Sequence, residues 1–215
     1  MCSTFPRSFF QRGRKGRNLI QNKKFKIQKA FRRKYLKFTA MNKLSIAIDM
    51  DEVIADPIDK FITIYQQEHG YNYTLDQMHG KEFRELLPPE LDHTLREYIN
   101  RKGFFRDLKV IPDSQQVISE LNKKYEVFIV SAATEFPNSL EDKQAWLGDY
   151  FPFIEWTNIV FCGYKIVNTD IMIDDRTKNF TRFDGRKLLF SSPHNLLLTG
   201  YERVNNWKEV AEKLL

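Results

Sequence analysis

Cysteine is nearly absent from this chain: Cys2 and Cys162 are the only two. Two thiols cannot build a disulfide framework, which favours a reducing compartment, with the cytoplasm the expected setting, or simple indifference to redox state. Histidine is scarce too, and His69, His79, His93 and His194 show no metal-ligand spacing, which argues against a zinc site. No apolar run approaches the ~20 residues that cross a bilayer. The sharpest local absence is of acid, because residues 1–40 hold 13 Lys and Arg and no Asp or Glu. The formal charge of +6 therefore hides an acidic body. Of the 34 basic residues, the 21 beyond residue 40 face 28 acidic ones, a balance of −7. Such a body binds long nucleic acid poorly, since phosphate neutralisation supplies most non-specific affinity. It can still hold one small phosphate in a pocket of metal, lysine and backbone N–H groups.

The basic head has no signal-peptide apolar segment, but its Arg-rich, acid-free composition is that of organellar transit peptides. Ile27, Phe31 and Tyr35 recur at helical spacing among basic residues and outline a short amphipathic helix. Three readings stand for residues 1–40: a targeting address, a tail for nucleic acid or an anionic membrane, and an upstream stretch before a natural start at Met41. The third is preferred, and the segment is expected to be a disordered extension.

What is present is enough for a core: 42% hydrophobic and 14% aromatic residues over 215 positions, the size of one domain with an insertion. From residue 44 the pattern alternates strand and helix, which predicts an α/β fold with a Rossmann-like parallel sheet flanked by helices. Strands are expected at 44–49, 125–131, 158–162, 170–174 and 187–191, with helices near 113–123, 139–148 and 205–214. Some 75 residues between the first two strands contain no convincing strand and are too long for one crossover. There, Asp56-Pro57 reads as an N-cap and N1 proline, Ile58, Phe61, Ile62 and Tyr65 form one face, and Gly70 ends the helix. A second helix is expected from Pro89 to Arg101, with Leu91, Leu95, Tyr98 and Ile99 inward. The expected division is a core of 41–56 and 109–215 with a small helical cap at 57–108, inserted after the first strand and sitting over the active site.

Chemistry concentrates at the predicted strand ends. Asp49-Met50-Asp51 follows the apolar run 44–48, Ser131 follows Val127-Phe128-Ile129-Val130, Lys143 comes next, and Asp174-Asp175 follows Ile171-Met172-Ile173. In a parallel sheet, groups at carboxyl ends gather where strand order reverses. Two carboxylates at the end of a buried strand are costly without a compensating cation such as a hard metal ion. The set thus suggests phosphoryl chemistry, with Asp49 as nucleophile and Asp51 as acid and base. Magnesium would be held by Asp49, Asp175 and the Asp51 carbonyl. Ser131 is expected to donate to a phosphate oxygen, and Lys143 to stabilise charge on the transferred group and on Asp49.

This ordered set resembles the haloacid dehalogenase superfamily, whose four motifs match DMDEV at 49–53, the Ser131 strand end, Lys143 and IDDR at 173–176. Further stretches are similar to the 5′(3′)-deoxyribonucleotidase family: DMDEVIAD, GFFRDLKVIP at 103–112, EDKQAWL carrying Lys143, and NNWKEV near the end. The resemblance spans about residues 44–210. It implies a Rossmann-like core with a helical cap, Mg2+, and hydrolysis of nucleoside monophosphates. It also makes Asp175 a direct metal ligand with Asp174 in support. Two positions depart from the family pattern: Glu52 stands where human-type members usually have glycine, and Pro57 where they place a phenylalanine that touches the base. A phosphatase of the same superfamily for a sugar phosphate or other metabolite is therefore the alternative. Phe83, Phe104 and Phe105 are candidate replacements for the aromatic wall. At least one of Phe104 and Phe105 is expected to serve cap packing alone, since neighbours on one element face apart.

Overall fold

A computed structural model describes residues 43–215; the basic head, its candidate helix and Met41 lie outside the described residues. Six parallel strands form the sheet: β1 (Ser45–Ile48), β4 (Glu126–Ser131), β5 (Ile159–Phe161), β6 (Ile171–Asp174), β7 (Arg186–Phe190) and β8 (Arg203–Val204), in the order β5-β4-β1-β6-β7-β8. A separate antiparallel pair, β2 (Ala55–Asp56) and β3 (Lys109–Val110), lies at the two ends of the insertion.

Side-chain alternation explains how the sheet is buried on both faces. Ile46 and Ile48 of β1, Ile171 and Ile173 of β6, and Leu188 and Phe190 of β7 join one apolar cluster. The residues between them, Ala47, Met172 and Leu189, join another. Helices cover the first face: Val117, Ile118 and Leu121 of α3 (Ser114–Lys124), Trp146 and Leu147 of α4 (Ser139–Tyr150), and Trp207, Val210 and Leu214 of α5 (Trp207–Leu214). The second face is closed by Phe180 and Phe183, from and just after a short 3-10 segment, Thr177–Arg182.

The five predicted sheet strands and the α/β class are borne out, with ends shifted by a residue or so. Three strands are additions to the sequence reading. β2, β3 and β8 have two residues each, too few for any alternation to register.

The insertion carries α1 (Pro57–His69) and α2 (Asp92–Asn100). α1 begins as its sequence dictates: the Asp56 carboxylate accepts from Asp59 N at 2.9 Å, Pro57 occupies the first turn, and Gly70 closes it at φ 74°. Pro89 to Arg101 is not one α-helix. Pro89–Leu91 forms a 3-10 turn, closed by Leu91 N to Pro88 O, and α2 follows, because two prolines lacking N–H groups start the segment.

Two buried indoles tie distant parts together. Trp146 Nε1 donates to Leu108 O and Trp207 Nε1 to Val53 O, each at 2.8 Å. Trp207 thus braces the loop that leaves β1. Trp207→Ala is expected to cost about 3–5 kcal/mol from the lost burial and the cavity left behind, measured by chemical denaturation.

Candidate active site

The order of strands reverses at β1, which has β4 on one side and β6 on the other. That crevice is where this architecture gathers ligand groups, and here it brings together residues from across the chain. Asp49 leaves the end of β1 with its N–H bonded to Ile173 O at 2.9 Å, so the first and fourth motifs are laced side by side. The chain then turns tightly, with Ile54 N and Ala55 N both donating to Met50 O. The turn keeps Asp51 at the mouth while Met50 is fully buried.

Asp49, Asp174 and Asp175 are all buried, and ligand oxygens from the three lie within 4.8 Å of one another. They are not equivalent. Asp174 is satisfied by the protein, accepting from Lys165 Nζ at 2.8 Å, Arg176 N at 2.8 Å and Asn179 Nδ2 at 2.9 and 3.0 Å. Both Asp175 carboxylate oxygens are buried without a hydrogen-bond partner among the described residues. Burial pushes the Asp175 carboxyl well above the usual carboxylate range, and Glu52, Asp49 and Asp174 add to this. Asp49 is raised as well, by burial first, with Lys165 pulling the other way and Asp174 adding to the rise. Orphaned, closely spaced carboxylate oxygens of this kind suit a hard divalent cation.

Two lysines divide the anionic groups between them. Lys143, on α4, lies 2.5 Å from Asp51 Oδ2 and donates to Ser131 Oγ at 3.0 Å. Lys165 is 2.5 Å from Asp49 Oδ1 as well as bound to Asp174. Burial alone would lower the Lys165 pKa, but Asp49 and Asp174 hold it above the ordinary value. The lysine that touches Asp49 is therefore Lys165, not Lys143. Lys143 is held instead by Asp51 and Ser131.

A cavity of about 900 Å3 opens from these groups and reaches the insertion. Phe83, Phe104 and Phe105 all line it, together with Phe61, Pro57, Ile58, Leu95 and Ile99. The restriction expected for Phe104 and Phe105 does not hold as geometry, because they sit in a turn, with rings 79° apart, rather than on a strand or helix. Phe61 stacks on Phe83 at 5.3 Å, and the Phe105 ring lies 4.4 Å from Lys143 Nζ.

A family model described as "5' nucleotidase, deoxy (Pyrimidine), cytosolic type C protein" matches residues 42–215. The chain belongs to this family. Within this family of phosphoric monoester hydrolases, the 5'(3')-deoxyribonucleotidase of Bacillus subtilis is 42% identical over 180 residues, covering 79% of this chain and 98% of that protein. The protein of the same name from Bacillus phage SPbeta matches to the same extent. Among solved structures, a haloacid dehalogenase-like hydrolase from Streptococcus pneumoniae superposes with a TM-score of 0.54 over 80% of this chain and 98% of its own, at 14% identity, a likeness of fold.

The sequence reading of this nucleotidase missed Lys165, Phe61 and a side-chain cluster around Glu52. Lys165 lies in an irregular loop between β5 and β6, where no periodicity or motif marks it. Phe61 was legible only as an inward-facing helix residue, which is also what it is. No described helix is long and apolar enough to cross a membrane.

Proposed function

We propose that the chain is a magnesium-dependent phosphomonoesterase that hydrolyses a (deoxy)ribonucleoside monophosphate to nucleoside and phosphate through an aspartyl-phosphate. The observation that carries this reading is the meeting of Asp49, Asp51, Asp174 and Asp175 with two buried lysines at the end of an aromatic-walled cavity. Acid alone would suit many sites. The alternation of anion and cation suits an anionic substrate that must approach an anionic nucleophile.

Asp49 is the nucleophile. Met50 N donates to its Oδ1, and Lys165 holds the same oxygen, which fixes the carboxylate in one pose with Oδ2 outside both contacts. Attack by a carboxylate oxygen on phosphorus forms the Asp49 acyl phosphate and breaks the bond to the nucleoside oxygen, which needs a proton. Asp51 supplies it. Its Oδ2 is held by Lys143, while Oδ1 is buried without a hydrogen-bond partner among the described residues and so is placed to give and take a proton. In the second half, Asp51 takes a proton from water, which attacks phosphorus and releases phosphate with Asp49 restored. Ser131 and Lys143 serve the phosphate oxygens through a shared contact of 3.0 Å. Asp49 and Asp175 are the residues that would hold magnesium, with Asp174 kept by Lys165 and Asn179 in a supporting place. When bound, the metal supplies positive charge that screens nucleophile from phosphate. The insertion acts as a cap, and Phe61, Phe83, Phe104 and Phe105 offer an apolar wall for a base.

The test is a panel of phosphate monoesters, assayed with Mg2+ and again after chelation. Nucleoside monophosphates are expected to be turned over at least about tenfold better in kcat/KM than sugar phosphates, a difference of ~1.4 kcal/mol, and chelation is expected to stop release. Preference for a sugar phosphate would replace the nucleotide reading with its metabolite alternative, and unchanged release under chelation would remove the metal.

A further inference from the structure

Glu52 turns the loop beyond Asp51 with φ 61°, the left-handed region that favours glycine. A side chain there costs about 1–2 kcal/mol, so the carboxylate is the feature to explain. It is largely buried and has three partners. Ser192 Oγ donates to its Oε2, His194 Nδ1 lies 3.3 Å from the same oxygen, and Arg176 Nη2 donates to Oε1 at 3.3 Å. The opposite ring nitrogen of His194 faces Asp175: Nε2 is 3.2 Å from the Asp175 carbonyl and 3.5 Å from its Oδ2. Asn195 Nδ2 donates to the same carbonyl at 2.8 Å, and Arg176 is further anchored on Glu82. The chain Glu52–His194–Asp175 therefore begins at the strained loop and ends on the acidic residue of the Asp49, Asp174 and Asp175 cluster whose two oxygens accept no hydrogen bond among the described residues.

We propose that Glu52 and His194 are positioning residues that hold Asp175 with its carboxylate turned toward Asp49, and so set the affinity of the metal site; this rests on the metal-dependent reading above. Two features favour positioning over direct ligation by Glu52. Its oxygens are already taken by Ser192, His194 and Arg176, and the Arg176 guanidinium, which also lies 3.6 Å from Asp175 Oδ2, occupies the side on which a second cation would need to sit. The imidazole bridges two carboxylates, which fixes the direction of the Asp175 side chain without consuming either of its oxygens in a short bond.

Glu52→Gly tests this while relieving backbone strain that offsets the lost contacts to Ser192, His194 and Arg176, because glycine prefers the conformation already present. Full-length protein is titrated with Mg2+ by calorimetry, and the thermal midpoint is measured with and without the ion. The expected result is Mg2+ binding weakened by about 10-fold, a metal-free midpoint equal to or above that of the parent, and kcat that recovers as Mg2+ is raised. Glu52→Gln, which keeps partners for Ser192 and His194, is expected to fall between. His194→Phe is expected to weaken Mg2+ binding as Glu52→Gly does. Parent-like affinity in Glu52→Gly and His194→Phe overturns the proposal. So does a stoichiometry of two ions in the parent that drops to one in Glu52→Gly, which would make Glu52 a ligand. A parent that binds no Mg2+ at all overturns instead the metal-dependent reading, so the two failures are distinct.

Discussion

Asp49→Asn is expected to remove phosphate release, by about four orders of magnitude or more in kcat, from nucleotides and generic aryl phosphates alike, while leaving the fold intact. The amide keeps the shape and can still accept from Met50 N, but its oxygen is too weak a nucleophile to displace an alkoxide from phosphorus and form the acyl phosphate. Stability should not fall with activity. Asp49 sits buried beside Asp174 and Asp175, and burial together with Asp174 already disfavours its charge, so neutralising it relieves repulsion while leaving Lys165 paired with Asp174. The measurement is a phosphate-release assay beside a thermal melt: a dead enzyme with a parent-like or higher midpoint is the expected pair. Retained turnover with an intact fold would exclude Asp49 as nucleophile.

Glu52 and Lys165 show where the sequence stops being informative. The strands near 46, 128, 172 and 188 could be read because a parallel sheet buried on both faces forces short continuous apolar runs, and Asp49, Ser131 and Asp174 follow those runs directly. Helix α1 could be read for a different reason, since Asp56, Pro57 and Gly70 are local signals that act within a few residues. Lys165 obeys neither rule. Its position is set by Asp49 and Asp174 across a loop, and a lysine in an irregular segment looks the same whether it is solvated or holds two buried carboxylates. Glu52 was visible as a departure from the family pattern, but its left-handed backbone and its link to His194, 142 residues away, exist only once β1 and β7 lie in one sheet. The aromatic wall is intermediate. Phe83, Phe104 and Phe105 could be nominated, but which rings face the cavity depends on turns rather than on period.

The two lysines make opposite predictions, and the difference follows from how deeply their partners are buried. Lys165 is nearly inaccessible, as are Asp49 and Asp174. Lys165→Met would keep the length and apolar stem but leave three buried carboxylates facing one another. Breaking a buried pair costs about 3–5 kcal/mol, so the metal-free variant is expected to lose that much stability, and Mg2+ is expected to return part of it by supplying charge to the same cluster. Its kcat should fall by about 10^2–10^3 as well, since the group that holds Asp49 in place is gone. Lys143→Met differs because the Asp51 side chain is 34% exposed, so the carboxylate left behind is less deeply enclosed than those of Asp49 and Asp174. Stability there should move by no more than about 1 kcal/mol, while kcat still falls because Asp51 and the phosphate oxygens lose their common partner. Denaturation of both variants with and without Mg2+, beside kcat at saturating substrate, separates the roles. Equal stability losses that Mg2+ does not reverse in either variant would mean that the lysines are interchangeable packing, and that Lys165 does not offset the charge of the acidic cluster.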